Sequence, residues 1–529
     1  MLRLAVGLSY YKISPDGVYY AEIGEYLFQY HQYGTRIPEY PAIVQPPVYP
    51  VLIAMFRNLF PRTLAGKMVS ILAGSFLVLV VYGIARRIFS ESTGKWAALL
   101  ISIHPFFIEY SAKFLTEMTF LLWVGLGAYF WIRFWQARQG RWIVLAAVGF
   151  VMAYLTRIEG VAVWLVMTIW LILQTLRRRS SPLHLLMFLA ILIIAFWGYS
   201  SWASRQVGER VWIPKFKLIE GHRKLFQLYR HTDPQFAQKS FTQKEQQMMY
   251  GLSADKSRLA VYDYFYTRRL PVPEGVHATR MITPGACEKL EALMKLTIVN
   301  SLKAARILLI RNPLPFLLVV FFFVGIVFSF RRRLDRANAL LLALFIALGY
   351  FLLSHIERRF LLGWSFIFLF WIAYGIDQFY GQWLARVRNR FRNILPGMVV
   401  LVLLLMLPYH VRTFSKMLNE NYIYRFTEDI RNQIPAGSRV VTSRAMVAFY
   451  NNYVFYRLPY APLEDFREFL TLNRVQYVIL EHPRDIRFMP HFKGLLDPKT
   501  VRLFNLDRIY QKSFDGQTFY IFHVQSGQS

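Results

Sequence analysis

Long apolar runs separated by short polar connectors dominate the pattern along this chain. A helix that crosses a bilayer needs about 20 apolar residues, or fewer where neighbouring helices bury its ends. Because lipid offers the backbone no hydrogen-bond partners, the runs predict a bundle of membrane helices. Ten runs are apolar enough to cross, at residues 66–85, 96–112, 117–132, 142–156, 158–176, 183–203, 314–330, 337–354, 360–376 and 394–410.

The charged residues are distributed unevenly among the connectors. Five short connectors together carry 17 Arg and Lys residues, at positions 86–95, 133–141, 177–179, 331–336 and 386–392. The connectors that alternate with them carry four cations and four carboxylates, namely Lys113, Arg157, Arg358, Arg359, Glu109, Glu117, Glu159 and Glu357. The positive-inside rule therefore predicts that the Arg-rich connectors face the cytoplasm.

The composition agrees with a membrane protein. The 529 residues are 55% apolar and 17% aromatic, with a mean hydropathy of +0.30, which is too apolar for an ordinary soluble enzyme. A net charge of +31 indicates nucleic-acid binding in a soluble protein, but here most of the charge orients helices, so no nucleic-acid partner is expected. One cysteine, Cys287, excludes a disulfide framework, and the low cysteine content favours a bacterial inner membrane.

The alternation of connectors places three longer segments outside the cell: residues 11–60, 204–303 and 412–529. Residues 1–10 are too short to span, so we expect that a first helix is missing or cut short. The predicted fold class is mainly α, a polytopic bundle of ten or eleven spans within residues 1–411. A small extramembrane α/β domain is predicted for residues 412–529, on the same side as the first external loop at 11–60 and the long loop at 204–303.

The external segments carry recognisable local signals. Residues 17–30 predict a helix with Asp16 as its N-cap, lying along the membrane surface or packed on the bundle. The prolines that follow exclude a regular helix before Val51. In the tail, Asp515-Gly516 is a hairpin signal. The tail is predicted to contain strands at 440–442, 475–480, 509–513 and 518–523 and helices at 422–433 and 464–473.

Carboxylates at the ends of membrane helices are the candidate chemical groups, because charge near lipid is costly and usually functional. Asp16 and Glu117 are predicted on the same external face, although the helix macrodipole alone favours an acid at the start of the span that Glu117 opens. Arg358 and Arg359 suit a lipid phosphate, or serve as anchors at a helix end. A base and cations without a nucleotide loop suit a substrate that is itself a lipid phosphate.

Five short motifs resemble one known family. They occur in order along roughly residues 1–376, as Asp16-Gly17-Val18-Tyr19-Tyr20-Ala21-Glu22, Gln45-Pro46-Pro47-Val48-Tyr49-Pro50, Leu115-Thr116-Glu117, Leu155-Thr156-Arg157-Ile158-Glu159-Gly160 and Glu357-Arg358-Arg359-Phe360. The chain thereby resembles the GT-C membrane glycosyltransferases of the protein O-mannosyltransferase (family 39) and lipid A aminoarabinose transferase type.

The resemblance implies an inverting transfer of a sugar from a polyprenyl-phosphate donor to a hydroxyl of a protein, lipid or glycan acceptor on the periplasmic face. It implies that Asp16 is the catalytic base, that Glu117 is a second acid of the site, and that Arg358 or Arg359 meets the donor phosphate. Residues expected to support the site are Tyr19, Tyr20, Gln45, Tyr49, Arg157 and Glu159.

The sequence departs from this family before the paired prolines. Aminoarabinose transferases have an acid and a lysine there, whereas this chain has Val44 and Gln45. No metal ligand is therefore assigned, no cofactor is expected, and a divalent metal has no support. A lipid A acceptor is disfavoured. The cations of the long loop assist the donor phosphate or belong to a solvated basic loop, and they are Lys215, Lys217, Arg223 and Lys224.

Two other classes of protein fit the same pattern of spans. A multi-pass lipid or solute transporter or flippase would move its substrate without transferring a sugar, but such proteins commonly contain internal repeats, and none is visible here. A non-catalytic scaffold that presents the tail to partners would leave Asp16 and Glu117 without a chemical role. Detection of a new covalent sugar product distinguishes the transferase from both.

Overall fold

The computed structural model describes residues 2–38, 40–271, 286–307, 316–353, 356–386, 394–419 and 421–525. Most of these residues are helical. The helices are α1 (Leu2–Ser9), α2 (Pro15–Tyr30), α3 (Val48–Phe56), α4 (Arg62–Ile88), α5 (Glu91–Ile103), α6 (Pro105–Ser111), α7 (Glu117–Ala137), α8 (Gly140–Thr156), α9 (Gly160–Leu176), α10 (Pro182–Val207), α11 (Pro214–Thr232), α12 (Phe241–Tyr250), α13 (Ala260–Thr267), α14 (Ala286–Arg306), α15 (Phe316–Arg331), α16 (Asp335–Leu348), α17 (Leu362–Arg386), α18 (Ile394–Asn419), α19 (Tyr422–Asp429), α20 (Ala445–Asn451), α21 (Leu463–Leu472), α22 (Arg484–Phe488) and α23 (Pro498–Leu503).

The chain folds into two compact units, each assembled from segments that are distant in sequence. The helical unit contains Met1–Tyr10, Pro46–Tyr199 and Pro284–Leu418. The mixed unit contains Tyr11–Gln45, Ser200–Thr283 and Asn419–Ser529. These two names are used below in this sense.

Several described helices can cross a membrane by length and composition. Four are both long and apolar enough, at Arg62–Ile88, Glu117–Ala137, Pro182–Val207 and Arg358–Gly381. Three shorter apolar helices lie at Gly140–Thr156, Gly160–Leu176 and Leu318–Arg331. The predicted fold class, a mainly α-helical membrane bundle with a small α/β part, is confirmed. The last part of the fifth Arg-rich connector, residues 387–392, lies outside the described residues.

One apolar run forms two helices instead of a single span. The run at 96–112 is divided between α5, which ends at Ile103, and α6, which begins at Pro105. Proline disfavours helical conformation in the residue before it, and His104 is accordingly extended, with φ −68° and ψ 121°. The His104 side chain then caps α6, because its Nδ1 accepts from the backbone nitrogen of Phe106 at 3.2 Å. Hydropathy alone does not detect this break.

Two glycines let α15 and α17 pack backbone to backbone. A Cβ added to Gly325 would lie 1.9 Å from the carbonyl oxygen of Trp371, and one added to Gly375 would lie 2.0 Å from that of Phe321. Both clashes are with main chain, which a rotamer change cannot relieve. Small residues allow this close approach where lipid supplies no hydrophobic driving force between helices.

The first helix of the mixed unit starts earlier than predicted and has a different cap. Helix α2 begins at Pro15, and the Ser14 side chain accepts from the Gly17 backbone nitrogen at 3.1 Å. The prediction of Asp16 as N-cap is therefore wrong. Asp16 lies in the first turn, where a negative side chain stabilises the helix through the macrodipole. Within the predicted stripe, Ile23 is fully buried while Tyr30 is exposed.

Helix α3 also begins earlier than predicted, at Val48 rather than Val51. Pro50 is the third residue of this helix. The first turn of a helix has backbone N–H groups without intrahelical partners, so proline costs no hydrogen bond there. The prediction treated these prolines as incompatible with any helix, although a proline in the first turn is tolerated.

The tail folds around a five-stranded sheet in the order β2-β1-β3-β5-β4. Strand β1 pairs in parallel with β2 and β3, whereas β5 is antiparallel to β3 and β4. The predicted hairpin is confirmed, since Asp515 and Gly516 connect β4 to β5 with φ of 48° and 78°. Strand β2 was not predicted. The strands are β1 (Arg439–Thr442), β2 (Val454–Arg457), β3 (Tyr477–His482), β4 (Leu506–Phe514) and β5 (Gln517–Val524).

The long segment at 204–303 is not simply a solvated basic loop. The part of this segment that belongs to the mixed unit contains helices α11, α12 and α13. The side chain of Lys217 is only 3% exposed, pairs with Glu209 and lies 4.8 Å above the ring of Phe265. The expectation of a solvated basic loop is therefore wrong for Lys217, because one face of α11 packs inward. Arg223, in contrast, is exposed.

The glycine contact generates a stability prediction. Gly375→Leu should destabilise the protein by about 1–3 kcal/mol, because the added side chain has no space and its first carbon meets main chain. The measurement is the thermal midpoint of the purified protein in detergent. Gly381→Ala is the matched control, since an added Cβ there meets nothing within 4 Å. Equal midpoints for the two variants would contradict the proposed packing.

Candidate functional site

Three helix junctions of the helical unit carry charged side chains that pair with one another. They are the junction between α6 and α7, the junction between α8 and α9, and the 3-10 turn Arg358–Leu361 before α17. We call this group the junction cluster, and its members are Glu109, Lys113, Glu117, Arg157, Glu159, Glu357, Arg358 and Arg359. These are the eight charges that the sequence places on the connectors with few cations.

Arg157 joins two of the junctions. Its Nη1 donates to Glu117 Oε1 at 2.9 Å and to Thr116 Oγ1 at 3.1 Å, and its Nη2 lies 3.4 Å from Glu159 Oε1. The side chain of Arg157 is 10% exposed and that of Glu117 is 5% exposed. Opposite charges that are this well buried are costly to separate. The pairing with Glu159 was predicted, whereas the stronger contact with Glu117 was not.

A sharp turn fixes Arg157 at this place. Helix α8 ends at Thr156, Arg157 is extended, and α9 begins at Gly160. A Cβ on residue 160 would lie 2.5 Å from the backbone nitrogen of Tyr154, so only glycine fits this close return of the chain. The turn thus holds Arg157 and Glu159 on the same side.

The third junction brings the two late arginines to the cluster. Arg358 Nη1 lies 3.1 Å from Glu109 Oε2, and Lys113 pairs with the other oxygen of Glu109. Arg359 Nε lies 2.6 Å from Glu357 Oε2. Arg358 and Arg359 are 32% and 23% exposed, so they are more accessible than Arg157. Both predicted phosphate-binding residues are therefore in the cluster.

The cluster borders a small, partly open pocket with a cavity volume of about 20 Å³, which is room for a water-sized group. Its wall includes Glu117, Arg157, Tyr350, Arg359 and Phe360. The second carboxylate oxygen of Glu117, Oε2, is buried and has no hydrogen-bond partner among the residues that the structure describes. Glu117 Oε2 can therefore bond a polar group of a ligand that reaches this pocket.

Tyr49 supports the framework of the helical unit. Its ring is fully buried, its hydroxyl donates to the Gly66 carbonyl oxygen at 2.9 Å, and the same hydroxyl lies 2.8 Å from Ser70 Oγ. The contact ties α3 to α4. Tyr49 is not among the residues that line the pocket beside Glu117.

The remaining predicted residues belong to the mixed unit. Tyr19 follows Asp16 by three positions, so both lie on one face of α2. The ring of Tyr19 stacks on that of Tyr40 at 4.1 Å, and Gln45 Nε2 donates to the Tyr40 hydroxyl at 2.7 Å. Tyr20 is buried. Because Asp16 and Glu117 belong to different units, the predicted pairing of these acids in one site stays a prediction.

The phenols beside Asp16 remain protonated. Burial raises the pKa of Tyr19 to about 12, and the negative charge of Asp16 contributes in the same direction. Burial also holds the pKa of Tyr40 and of Tyr262 well above the ordinary value for tyrosine. These groups therefore act as neutral hydrogen-bond donors and not as bases.

Within the described ranges, no three His, Cys, Asp or Glu side chains are grouped so that they could hold a metal ion. The sequence missed Tyr350 and Glu109 as members of the site. Neither carries a local signal, since Tyr350 lies in the 3-10 turn that follows α16 and Glu109 occurs in an apolar helix. Only the pairing of distant segments reveals them.

Comparison with known proteins supports the resemblance seen in the motifs. Residues 44–202 match the family described as dolichyl-phosphate-mannose-protein mannosyltransferase. This range includes Gln45, Glu117 and Arg157, but not Asp16 or Arg358. None of the curated proteins matches the chain.

Solved structures resemble the chain over almost its whole length. Archaeal oligosaccharyltransferase AglB from Archaeoglobus fulgidus, in complex with an inhibitory peptide and a dolichol-phosphate, is 14% identical, with a TM-score of 0.52 over 98% of this chain and 73% of that one. ArnT from Cupriavidus metallidurans has TM-scores of 0.44 in the apo state and 0.45 bound to undecaprenyl phosphate. Its identities are 14% and 15%, and the matches cover 98% and 99% of this chain and 96% and 98% of that one.

The family match and the AglB fold confirm the predicted resemblance to the GT-C superfamily of membrane glycosyltransferases. The chain is accordingly a multi-pass membrane protein, in agreement with its long apolar helices. The likeness to AglB establishes the fold, and the chemistry of this chain must be argued from its own residues.

The junction cluster generates a second stability prediction. Arg157→Met should destabilise the protein by about 3–5 kcal/mol, because Glu117 and Glu159 would stay buried without their counter-charge. The readout is the thermal midpoint in detergent.

Arg86→Met is the control for Arg157→Met. Arg86 lies 3.9 Å from Glu91, and both side chains are more than half exposed, so this loss should cost at most about 1 kcal/mol. The interpretation fails if both methionine variants unfold at the same temperature.

Proposed function

We propose that this protein is an inverting membrane glycosyltransferase that moves a sugar from a polyprenyl-phosphate donor to an acceptor hydroxyl. The observation that carries the proposal is the junction cluster, in which three motifs of the GT-C resemblance meet around one pocket. A scaffold or an inert helix bundle gives no reason for eight charges to converge beside lipid, where each is costly.

The two accessible arginines suit the donor phosphate. Arg358 and Arg359 are each paired with a carboxylate, so an incoming phosphate would exchange with Glu109 or Glu357 rather than enter a bare cationic site. Guanidinium groups bind phosphate through two parallel hydrogen bonds. The matching family is named for a dolichyl-phosphate mannose donor, and AglB was solved with a dolichol-phosphate, which supports a lipid phosphate here.

The transfer proceeds by displacement at the anomeric carbon. The acceptor oxygen forms a bond to that carbon from the face opposite the phosphate, and its proton passes to the Asp16 carboxylate. The bond between the anomeric carbon and the phosphate oxygen breaks, and the lipid phosphate leaves with the electron pair. The arginines stabilise the negative charge that develops on the phosphate. Glu117, with Oε2 in the pocket, would orient a sugar hydroxyl.

The membrane arrangement is part of the proposal. Asp16 and the connectors that carry few cations face the periplasm of a bacterial inner membrane, and the Arg-rich connectors face the cytoplasm. Residues 1–411 carry the membrane spans together with the external segments at 11–60 and 204–303, and residues 412–529 lie in the periplasm. The acceptor is a protein, lipid or glycan with a free hydroxyl.

Asp16→Asn should lower the turnover number by about 10² or more, because the amide cannot take the acceptor proton. Purified protein is incubated with a radiolabelled polyprenyl-phosphate sugar and envelope extract, and the labelled covalent product is quantified.

Asp515→Asn is the matched control, since Asp515 is an exposed acid of the mixed unit that pairs with Arg425. It should transfer at the wild-type rate. Near-normal transfer by Asp16→Asn would exclude the base assignment, whereas movement of the lipid without any covalent product would identify a flippase.

A further inference from the structure

Helix α11 of the mixed unit exposes large apolar side chains on one face. Phe216, Ile219 and Phe226 are 58%, 50% and 39% exposed, and their spacing places them on the same side of the helix. Trp212, which lies just before the helix, is 45% exposed. We call these four side chains the outer stripe. An exposed apolar face of this kind marks a contact with a partner or with a membrane.

The opposite face of α11 is already packed. Leu225 and Leu228 are buried in an apolar cluster that includes the start of α13. A Cβ added to Gly221 would lie 2.9 Å from the ring of Tyr264, so α13 approaches this face closely. Because α13 holds the inner face, α11 cannot rotate about its axis to bury the outer stripe.

The start of α11 is tied to the end of a helix that is apolar enough to cross a membrane. Helix α10 has 26 residues and rises about 39 Å, whereas the hydrocarbon core of a bilayer is about 30 Å thick, so its last turns reach the headgroups. In those turns Ser200 Oγ donates to the Val211 carbonyl oxygen at 2.9 Å, and the Val211 backbone nitrogen donates to Ser204 Oγ at 2.8 Å. Trp212 therefore lies near the membrane surface, where tryptophan is enriched.

The charge of α11 complements a phospholipid surface. The helix contains five Lys and Arg residues and one acid, Glu220, which pairs with Arg268 at 2.9 Å. Arg223 is exposed and follows Ile219 by four positions and precedes Phe226 by three, so it lies on the same face as the outer stripe. An arginine in this position can bind a lipid phosphate while its methylene groups rest on apolar surface.

We propose that α11 lies in the surface of the lipid bilayer as an interfacial helix. The outer stripe lies among the phospholipid headgroups, and Arg223 and the exposed Arg230 contact lipid phosphates. A bilayer surface accounts for both features of this face, because it offers apolar surface directly beside phosphate groups. The proposal is independent of the proposed function, since it requires no sugar donor, acceptor or base.

The test is a spin-label depth measurement on the full chain in nanodiscs of phosphatidylcholine and phosphatidylglycerol. Cys287→Ser removes the single native cysteine, and Ile219→Cys then carries the label. Collisions with oxygen, which concentrates in lipid, are compared with collisions with a water-soluble nickel chelate. The label should lie about 5–10 Å below the lipid phosphates, the depth to which interfacial helices bury their apolar face.

Leu503→Cys in the same Cys287→Ser background is the matched control. Leu503 is the last residue of α23 in the mixed unit, and it is a large apolar residue that is 72% exposed. Its label should collide with the nickel chelate as freely as a label in water, because an isolated exposed leucine needs no partner.

Arg223→Glu, added to the Ile219→Cys protein, should move the label toward water. The substitution replaces attraction to lipid phosphates with repulsion, and Arg223 is exposed, so the fold should be retained. Arg508→Glu reverses the charge of an exposed arginine of β4 and should leave the depth of the label unchanged.

Equal collision with the nickel chelate for the Ile219→Cys and Leu503→Cys labels would overturn the proposal. An Ile219→Cys label shielded from both reagents would also overturn it, because another protein or a second copy of the chain would then cover the outer stripe. An unchanged depth in Arg223→Glu would exclude the contact of that arginine with phosphate. None of these outcomes depends on transferase activity, so an inactive protein with a membrane-inserted label refutes only the proposed transfer.

Discussion

The buried guanidinium of Arg157 is the contact on which the architecture of the candidate site depends. Glu117 begins α7 and Glu159 directly precedes α9, and a buried carboxylate without a counter-charge is very costly. One arginine satisfies both, so the start of α7 and the turn between α8 and α9 are held at a fixed distance. The geometry of this part of the pocket wall therefore depends on an electrostatic requirement as well as on helix packing.

The balance of charge in the junction cluster determines how a phosphate can enter. The cluster contains four carboxylates and four cations, so its own charges balance. Under the proposed function a phosphate displaces a carboxylate, which favours the more accessible Arg358 and Arg359 over Arg157. Under the proposed function, Arg358 and Arg359 therefore contact the donor, while Arg157 positions Glu117.

Hydropathy and turn chemistry predicted most of the long apolar helices and the Asp515-Gly516 hairpin, because each depends on neighbours in sequence. Five of the eight cluster charges were named as site residues: Glu117, Arg157, Glu159, Arg358 and Arg359. The pairs Arg157–Glu117 and Arg358–Glu109 depend on tertiary packing between helices, and no local signal encodes them. Lys217 was misjudged for the same reason, since a basic segment reads as solvated until its buried face is known.

Helix α2 holds Asp16 in a defined position, although Asp16 directly follows a turn in the sequence. Ser14 caps the helix, Glu22 pairs with Arg36 at 3.2 Å, and Tyr19 stacks on Tyr40 within one turn of Asp16. A general base works only where its oxygen is held within hydrogen-bond reach of the proton it removes. Under the proposed function, Asp16 thus has the support that such a base needs, and the stacked ring of Tyr19 on the same face of α2 supplies part of it.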